Sequence, residues 1–160
     1  MKDKLGNNAQ HIHDVLTNHG CEFEIQELPD SAHSAQDAAN AIGCRVPQIA
    51  KSILFKTSES KNPILAIASG SNRIDVKKVA THLNQPIETA DARYVKEHTG
   101  FSIGGVSPVG LKAAMPIFID EDLLAFDEIW AAAGTPHAVV KVKSDTLPAL
   151  TQGKVINLRE

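Results

Sequence analysis

The chain has 160 residues, a net charge of −3 and only two cysteines, Cys21 and Cys44. That length buries roughly 70% of the surface the unfolded chain exposes, enough for a core without disulfide or metal staples. The two thiols are too few and too far apart for a zinc cage and read as buried small hydrophobes, with a disulfide as the alternative. No apolar run nears the roughly 20 residues that span a bilayer. The polar stretch Met1–Gln10 lacks a signal-peptide hydrophobic region, so a cytoplasmic location without membrane contact is expected. Charge is unevenly spread: residues 45–112 hold 10 Lys/Arg against 5 Asp/Glu, whereas the flanks are acidic. A local positive face suits either an ordinary solvated surface or a short phosphate contact, such as a nucleic-acid end, and argues against wrapping a duplex.

In chain order, Asn7 to His19 carries Ile12, Val15 and Leu16 at helical spacing, with Gly20 as its C-cap. His11 and His13 lie two apart, point to nearly opposite sides, and read as surface residues rather than a metal pair. Cys21–Gln26 alternates apolar and polar residues, as a half-buried strand does. Ser34 is placed to cap a helix through Ile42, with Asp37 at its third position and Gly43 closing it. Ile49–Phe55 and Ile64–Ala68 read as buried strands joined through Lys61-Asn62-Pro63. Asp75 caps a helix carrying Val76, Val79, Ala80 and Leu83. A short strand follows Pro86, and a helix capped by Asp91 runs to Gly100. Met115–Asp120 reads as a strand. Leu123–Ala133 reads as helical in part, with Leu124, Phe126, Ile129 and Trp130 for the core. Gly134–His137 is a turn before the strand Ala138–Val142. A short helix near Thr146–Leu150 and a strand near Val155–Leu158 complete the chain. This mixture predicts an α/β (α+β) fold, a compact mixed β-sheet flanked by helices, as one domain over residues 1–160.

The stretch from Gly100 to Gly110 concentrates four glycines and Pro108, which rules out a regular helix there. Apolar neighbours make it a loop set into a core, where a glycine backbone can approach a ligand. Gly105-Val106-Ser107-Pro108-Val109 nearly fits G-x-S-x-G, but Val109 replaces the last glycine, and Pro108 has no amide for an oxyanion hole. No phosphate-binding glycine motif, H-E-x-x-H or C-x-x-C is present, so no cofactor or metal is called for.

Val46-Pro47-Gln48-Ile49-Ala50-Lys51-Ser52-Ile53-Leu54-Phe55, the Gly104–Pro108 loop, and Asp120 followed by Trp130-x3-Gly134 are similar to the YbaK/EbsC family. That family is related to the editing insertion domain of bacterial prolyl-tRNA synthetases. The resemblance runs from about Asp14 to Leu158. It implies a free-standing, metal-independent deacylase that hydrolyses the ester of a mischarged tRNA, such as tRNA(Pro) carrying Cys or Ala. A proline-accepting synthetase pocket cannot strongly reject smaller amino acids, since a methylene discriminates by only about 1–3 kcal/mol. A second, smaller pocket admits the errors.

By the resemblance, Lys51 contacts the terminal adenosine and its phosphates. Gly104, Gly105, Val106, Ser107 and Pro108 form the loop beside the scissile ester, and Gly134 and His137 form one wall of the amino-acid pocket. A lysine inside an apolar strand must reach solvent by its stem or meet an anion. The loop's amides are suited to polarising an ester carbonyl, a donor of that kind being worth roughly 3–4 kcal/mol. The loop also reads as a structural turn packed under the sheet. His137 reads as a hydrogen-bond partner of the substrate amino group, as a base near neutral pH, or as turn filler. His33 is a further substrate-side candidate, set against its reading as a neighbour of the Ser34 cap. The partners implied are the acceptor end of a mischarged tRNA and prolyl-tRNA synthetase. A second class of function, a non-catalytic module that holds tRNA ends or a synthetase, uses the same pocket.

Overall fold

Consecutive residues of the central strands belong to different hydrophobic clusters. The structure, a computed structural model, describes residues 7–29 and 34–160. In β2 (Ile49–Thr57), Ala50 and Leu54 join one cluster, while Ile49 and Phe55 join two others on the opposite face. In β3 (Pro63–Ser69), Leu65 and Ile67 divide from Ile64 and Ala66 in the same way. A strand buried on both faces must sit at the centre of a sheet covered on both sides.

That sheet has eight strands. The others are β1 (Phe23–Glu27), β4 (Ile87–Thr89), β5 (Ile117–Asp120), β6 (Glu128–Ala132), β7 (Ala138–Lys143) and β8 (Lys154–Ile156). Their order is β1-β7-β6-β2-β3-β5-β8, with β4 beside β2. The β2–β6, β3–β5 and β5–β8 pairs are parallel, and the remaining pairs are antiparallel. The mixed sheet expected from the sequence is thus present.

One face carries α1 (Asn7–Asn18), α4 (Ala92–Thr99) and α5 (Leu147–Thr151) through Ile12, Leu16, Val95 and Leu147. The other carries α2 (Ala35–Ile42) through Ala38 and Ala39, and α3 (Val76–Leu83) through Val79. The caps are those the sequence calls for. Ser34 Oγ accepts from Asp37 N–H, and Asp75 and Asp91 cap α3 and α4. Each such cap is worth about 1 kcal/mol. Gly43 and Gly100 close their helices with positive φ. Both cysteines are free and half-buried.

One expectation needs correction. Leu123–Ala133 is helical only at its start: a short 3-10 helix spans Glu121–Ala125, and after a bend Glu128–Ala132 forms the strand β6. Ile129 and Trp130 belong to clusters on opposite faces. A helix would turn them by only about 100°. Parallel pairing with β2 decided the matter: Ile49 lies opposite Trp130, and Ala50 opposite Ala131. No helix among the described residues is long and apolar enough to cross a membrane.

Candidate active site

The edge of β2 away from β3 is shared by two strands that do not meet. β6 pairs only with Ile49 and Ala50, and β4 only with Phe55 to Thr57. Lys51 to Leu54 therefore face a gap in the middle of the sheet. A cleft of about 550 Å³ opens there. Its walls are mainly apolar, from β2, β6 and β7, with Ala38 of α2 and Val95 of α4.

Lys51 stands at this gap, half-buried, on the same face as Ile49 and Ile53. Its ammonium makes no ion pair or hydrogen bond among the described residues. Burial holds its pKa below the ordinary lysine value; Arg73 lowers it further and Asp120 pulls it partly back. A cation so placed is poised for an anion from outside. Arg73, a second positive charge close enough to be felt, carries no signal in the sequence beyond the general basic bias of residues 45–112.

Asp120 is entirely buried at the end of β5. One carboxylate oxygen accepts from Ser69 N–H at 3.0 Å and Asn72 Nδ2 at 2.8 Å, the other from Asp122 N–H at 2.9 Å. Asn72 also donates to Asp122, which in turn accepts from Arg159 at 2.9 Å. This network pins the turn after β3 beside Lys51.

The glycine-rich loop runs from an exposed tip at Ser102–Gly104 into the core at Gly105–Val109. Gly104 has φ +87°, a conformation favouring glycine. At Gly105 a Cβ would lie 2.7 Å from the carbonyl carbon of Thr135, so this loop and the 134–137 turn pack backbone on backbone. Gly105 N–H donates within the loop to Ser102, and Val109 N–H donates to Ser107 Oγ. No hydrogen bond among the described residues uses the N–H of Gly104 or Val106, and both residues line the cleft. Ser107 is fully buried, its hydroxyl engaged with Val109. Gly105, Ser107 and Pro108 shape the loop from behind and do not line the cleft.

In the second loop, His137 is exposed at the cleft rim, its N–H donating to Thr135 Oγ1 at 3.1 Å. Gly134 is buried behind the wall, and its carbonyl accepts from Asn8 of α1 at 2.9 Å. His11 is exposed, as expected, but its Nε2 also reaches the Gly110 carbonyl at 3.1 Å. The first helix thus ties both loops in place. His33 lies outside the described residues.

Sequence reasoning passed over Ser52. It lines the cleft, and its Oγ is the one buried side-chain polar atom among the described residues without a hydrogen-bond partner. The signal was there: Ala50-x-Ser52-x-Leu54 puts a hydroxyl on the apolar face of a central strand. Among the described residues no group of three or more His, Cys, Asp or Glu is placed to hold a metal ion.

Residues 29–150 match the family model of the aminoacyl-tRNA editing domain. YwhH of Bacillus subtilis is 30% identical over 134 residues, which are 84% of this chain and 85% of that protein. EbsC of Enterococcus faecalis, named as a proposed Cys-tRNA(Pro)/Cys-tRNA(Cys) deacylase, is 26% identical over 76% of this chain and 74% of its own. A crystal structure of a proposed trans-editing enzyme for prolyl-tRNA synthetase superposes with a TM-score of 0.92 at 39% identity, covering 98% of this chain and 99% of that one. The chain belongs to the aminoacyl-tRNA editing domain family, as its YbaK/EbsC-like residues implied.

Proposed function

We propose that this protein is a trans-acting aminoacyl-tRNA deacylase. It clears a small amino acid such as Ala, Cys or 2-aminobutyrate from a mischarged tRNA, tRNA(Pro) by its likeness to prolyl-tRNA editing proteins. The observation that carries this reading is the half-buried Lys51, unpaired among the described residues, at the gap of an apolar cleft whose far wall is the glycine-rich loop. In the reaction, Lys51 holds the terminal adenosine and its phosphates. The N–H groups of Gly104 and Val106 polarise the ester carbonyl, on a backbone held by Gly105, Ser107 and Pro108. Water adds to the carbonyl carbon, and the loop amides stabilise the oxyanion that forms. Collapse expels the ribose oxygen, which takes a proton, and releases free amino acid and intact tRNA. An aminoacyl ester is already activated, so positioning a water, aided by the neighbouring ribose hydroxyl, suffices without a nucleophilic triad. Gly134 and His137 bound the amino-acid side of the site, with His33 as a further contact. Prolyl-tRNA synthetase is the source of the mischarged tRNA.

Incubation with tRNAs carrying Ala, Cys, Ser, Thr and 2-aminobutyrate tests the reading. Release of amino acid from at least one, faster than spontaneous hydrolysis, is the expected result. Tight binding of tRNA without release would identify a non-catalytic tRNA-end module instead. Equal turnover of a free amino-acid ester would identify a hydrolase that does not depend on tRNA.

A further inference from the structure

The gap in the sheet has a polarity that side chains alone do not reveal. Thr57 N–H donates to Asn62 on the β3 side, and Ser58 N–H donates to Pro86 on the β4 side. Hydrogen-bonding direction alternates along an antiparallel strand, so odd-numbered residues of β2 bond toward β3 and even-numbered ones toward the opposite edge. On that edge the ladder to β6 ends at Ala50, and the ladder to β4 begins at Phe55. Ser52 thus aims its N–H and its C=O into the cleft, with no strand opposite. Its hydroxyl, too, is buried and without a partner among the described residues. Three polar groups of one residue, unanswered in the middle of a sheet, lower stability unless a ligand completes them.

We propose that the aminoacyl group completes them by docking as a single antiparallel strand residue opposite Ser52, whose hydroxyl then selects small substrates bearing a hydroxyl or thiol. This rests on the deacylase reading. An antiparallel hydrogen-bonded pair exchanges two bonds between one residue and its opposite. The α-ammonium of the aminoacyl group gives a proton to Ser52 C=O, and its ester carbonyl accepts from Ser52 N–H. The orientation follows from Lys51. An antiparallel residue opposite Ser52 sends its carbonyl toward the residue before Ser52, so the ribose lies beside Lys51. A parallel residue would send it toward Phe55. Directly opposed residues in a ladder project side chains to the same face, with Cβ atoms about 5 Å apart. The substrate side chain then lies next to Ser52 Oγ and against Leu54, Val95 and Val106, which also line the cleft. A hydroxyl or thiol at its tip reaches Ser52 Oγ, whereas a methyl leaves that hydroxyl unpaired.

Two measurements test this. Clearance of seryl-, cysteinyl- and alanyl-tRNA is compared for the wild type and Ser52→Ala. The ratio of seryl to alanyl clearance should fall about tenfold in the variant, the worth of one hydrogen bond. An equal loss on all substrates would overturn the selection by Ser52. The second measurement uses the wild type alone, with unreactive 3′-seryl-amino-3′-deoxyadenosine, in which an amide replaces the ester. The Ser52 amide proton should move downfield and gain protection from exchange as the compound binds. Shifts confined to the 100–110 loop would overturn the strand docking while leaving the deacylase reading intact. A protein that clears none of the mischarged tRNAs overturns both.

Discussion

Two polar sites lie side by side where β2 begins and β3 ends, and they are treated in opposite ways. At Asp120 every polar atom has an answer: one carboxylate takes three donors, and Asn72, Asp122 and Arg159 extend the network. At Lys51 and Ser52, close by, the ammonium and the hydroxyl have none among the described residues. Each arrangement costs desolvation, but only the first recovers it inside the fold. A satisfied buried charge is architecture. An unsatisfied one, set in a cleft, is a place for something else to bind.

This contrast can be broken at either site. The largest effect is expected from Asp120→Ala, which strands the buried Ser69 N–H and takes one acceptor each from the Asp122 N–H and the Asn72 amide. It should destabilise the fold by roughly 2 kcal/mol, read as a lower midpoint in urea with an unchanged slope. Lys51→Ala should do the reverse, leaving the urea midpoint unchanged or slightly raised while slowing deacylation about a hundredfold or more. A Lys51→Ala protein that clears mischarged tRNA at the wild-type rate would refute the anchoring role.

The pH dependence sharpens the same point. Burial, then Arg73, places the Lys51 pKa below the ordinary 10.5 in the folded protein. The folded state therefore holds this proton less tightly than the unfolded chain. The charged lysine penalises folding below the folded pKa, and the penalty fades as pH rises from there toward 10.5. Activity that needs the charge should fall with a midpoint below 10.5, after subtraction of spontaneous ester hydrolysis. Lys51→Arg should move that fall to higher pH, because a guanidinium stays charged.

Comparable or smaller effects are expected from positions outside these two sites. Gly105→Ala forces a methyl into the backbone of Thr135 and Pro136. A loss of about 2 kcal/mol by thermal melting is expected, together with slower deacylation as the two loops part. Ser34→Ala removes the cap of α2 and should cost about 1 kcal/mol. Its effect on activity should be the smallest of the set.

What could be read without coordinates was local chemistry. Ser34, Asp75 and Asp91 announced helix starts because a cap needs a short acceptor side chain just before the first turn. Gly43 and Gly100 announced helix ends because left-handed backbone favours glycine. Lys51 stood out because a cation interrupts an apolar strand, and the 100–110 loop because glycine and proline forbid regular structure there. Those signals sit within a few residues of what they determine. The tertiary structure alone decided the rest. Ile129 and Trp130 fit a helical pattern until β2 came alongside. Asn8 and Gly134, or Asp120 and Ser69, are bonded across separations that no periodicity records. The gap opposite Ser52 exists because β6 and β4 stop short of one another on the same edge, and pairing between distant strands is set by packing, not by the residues on either side of a serine.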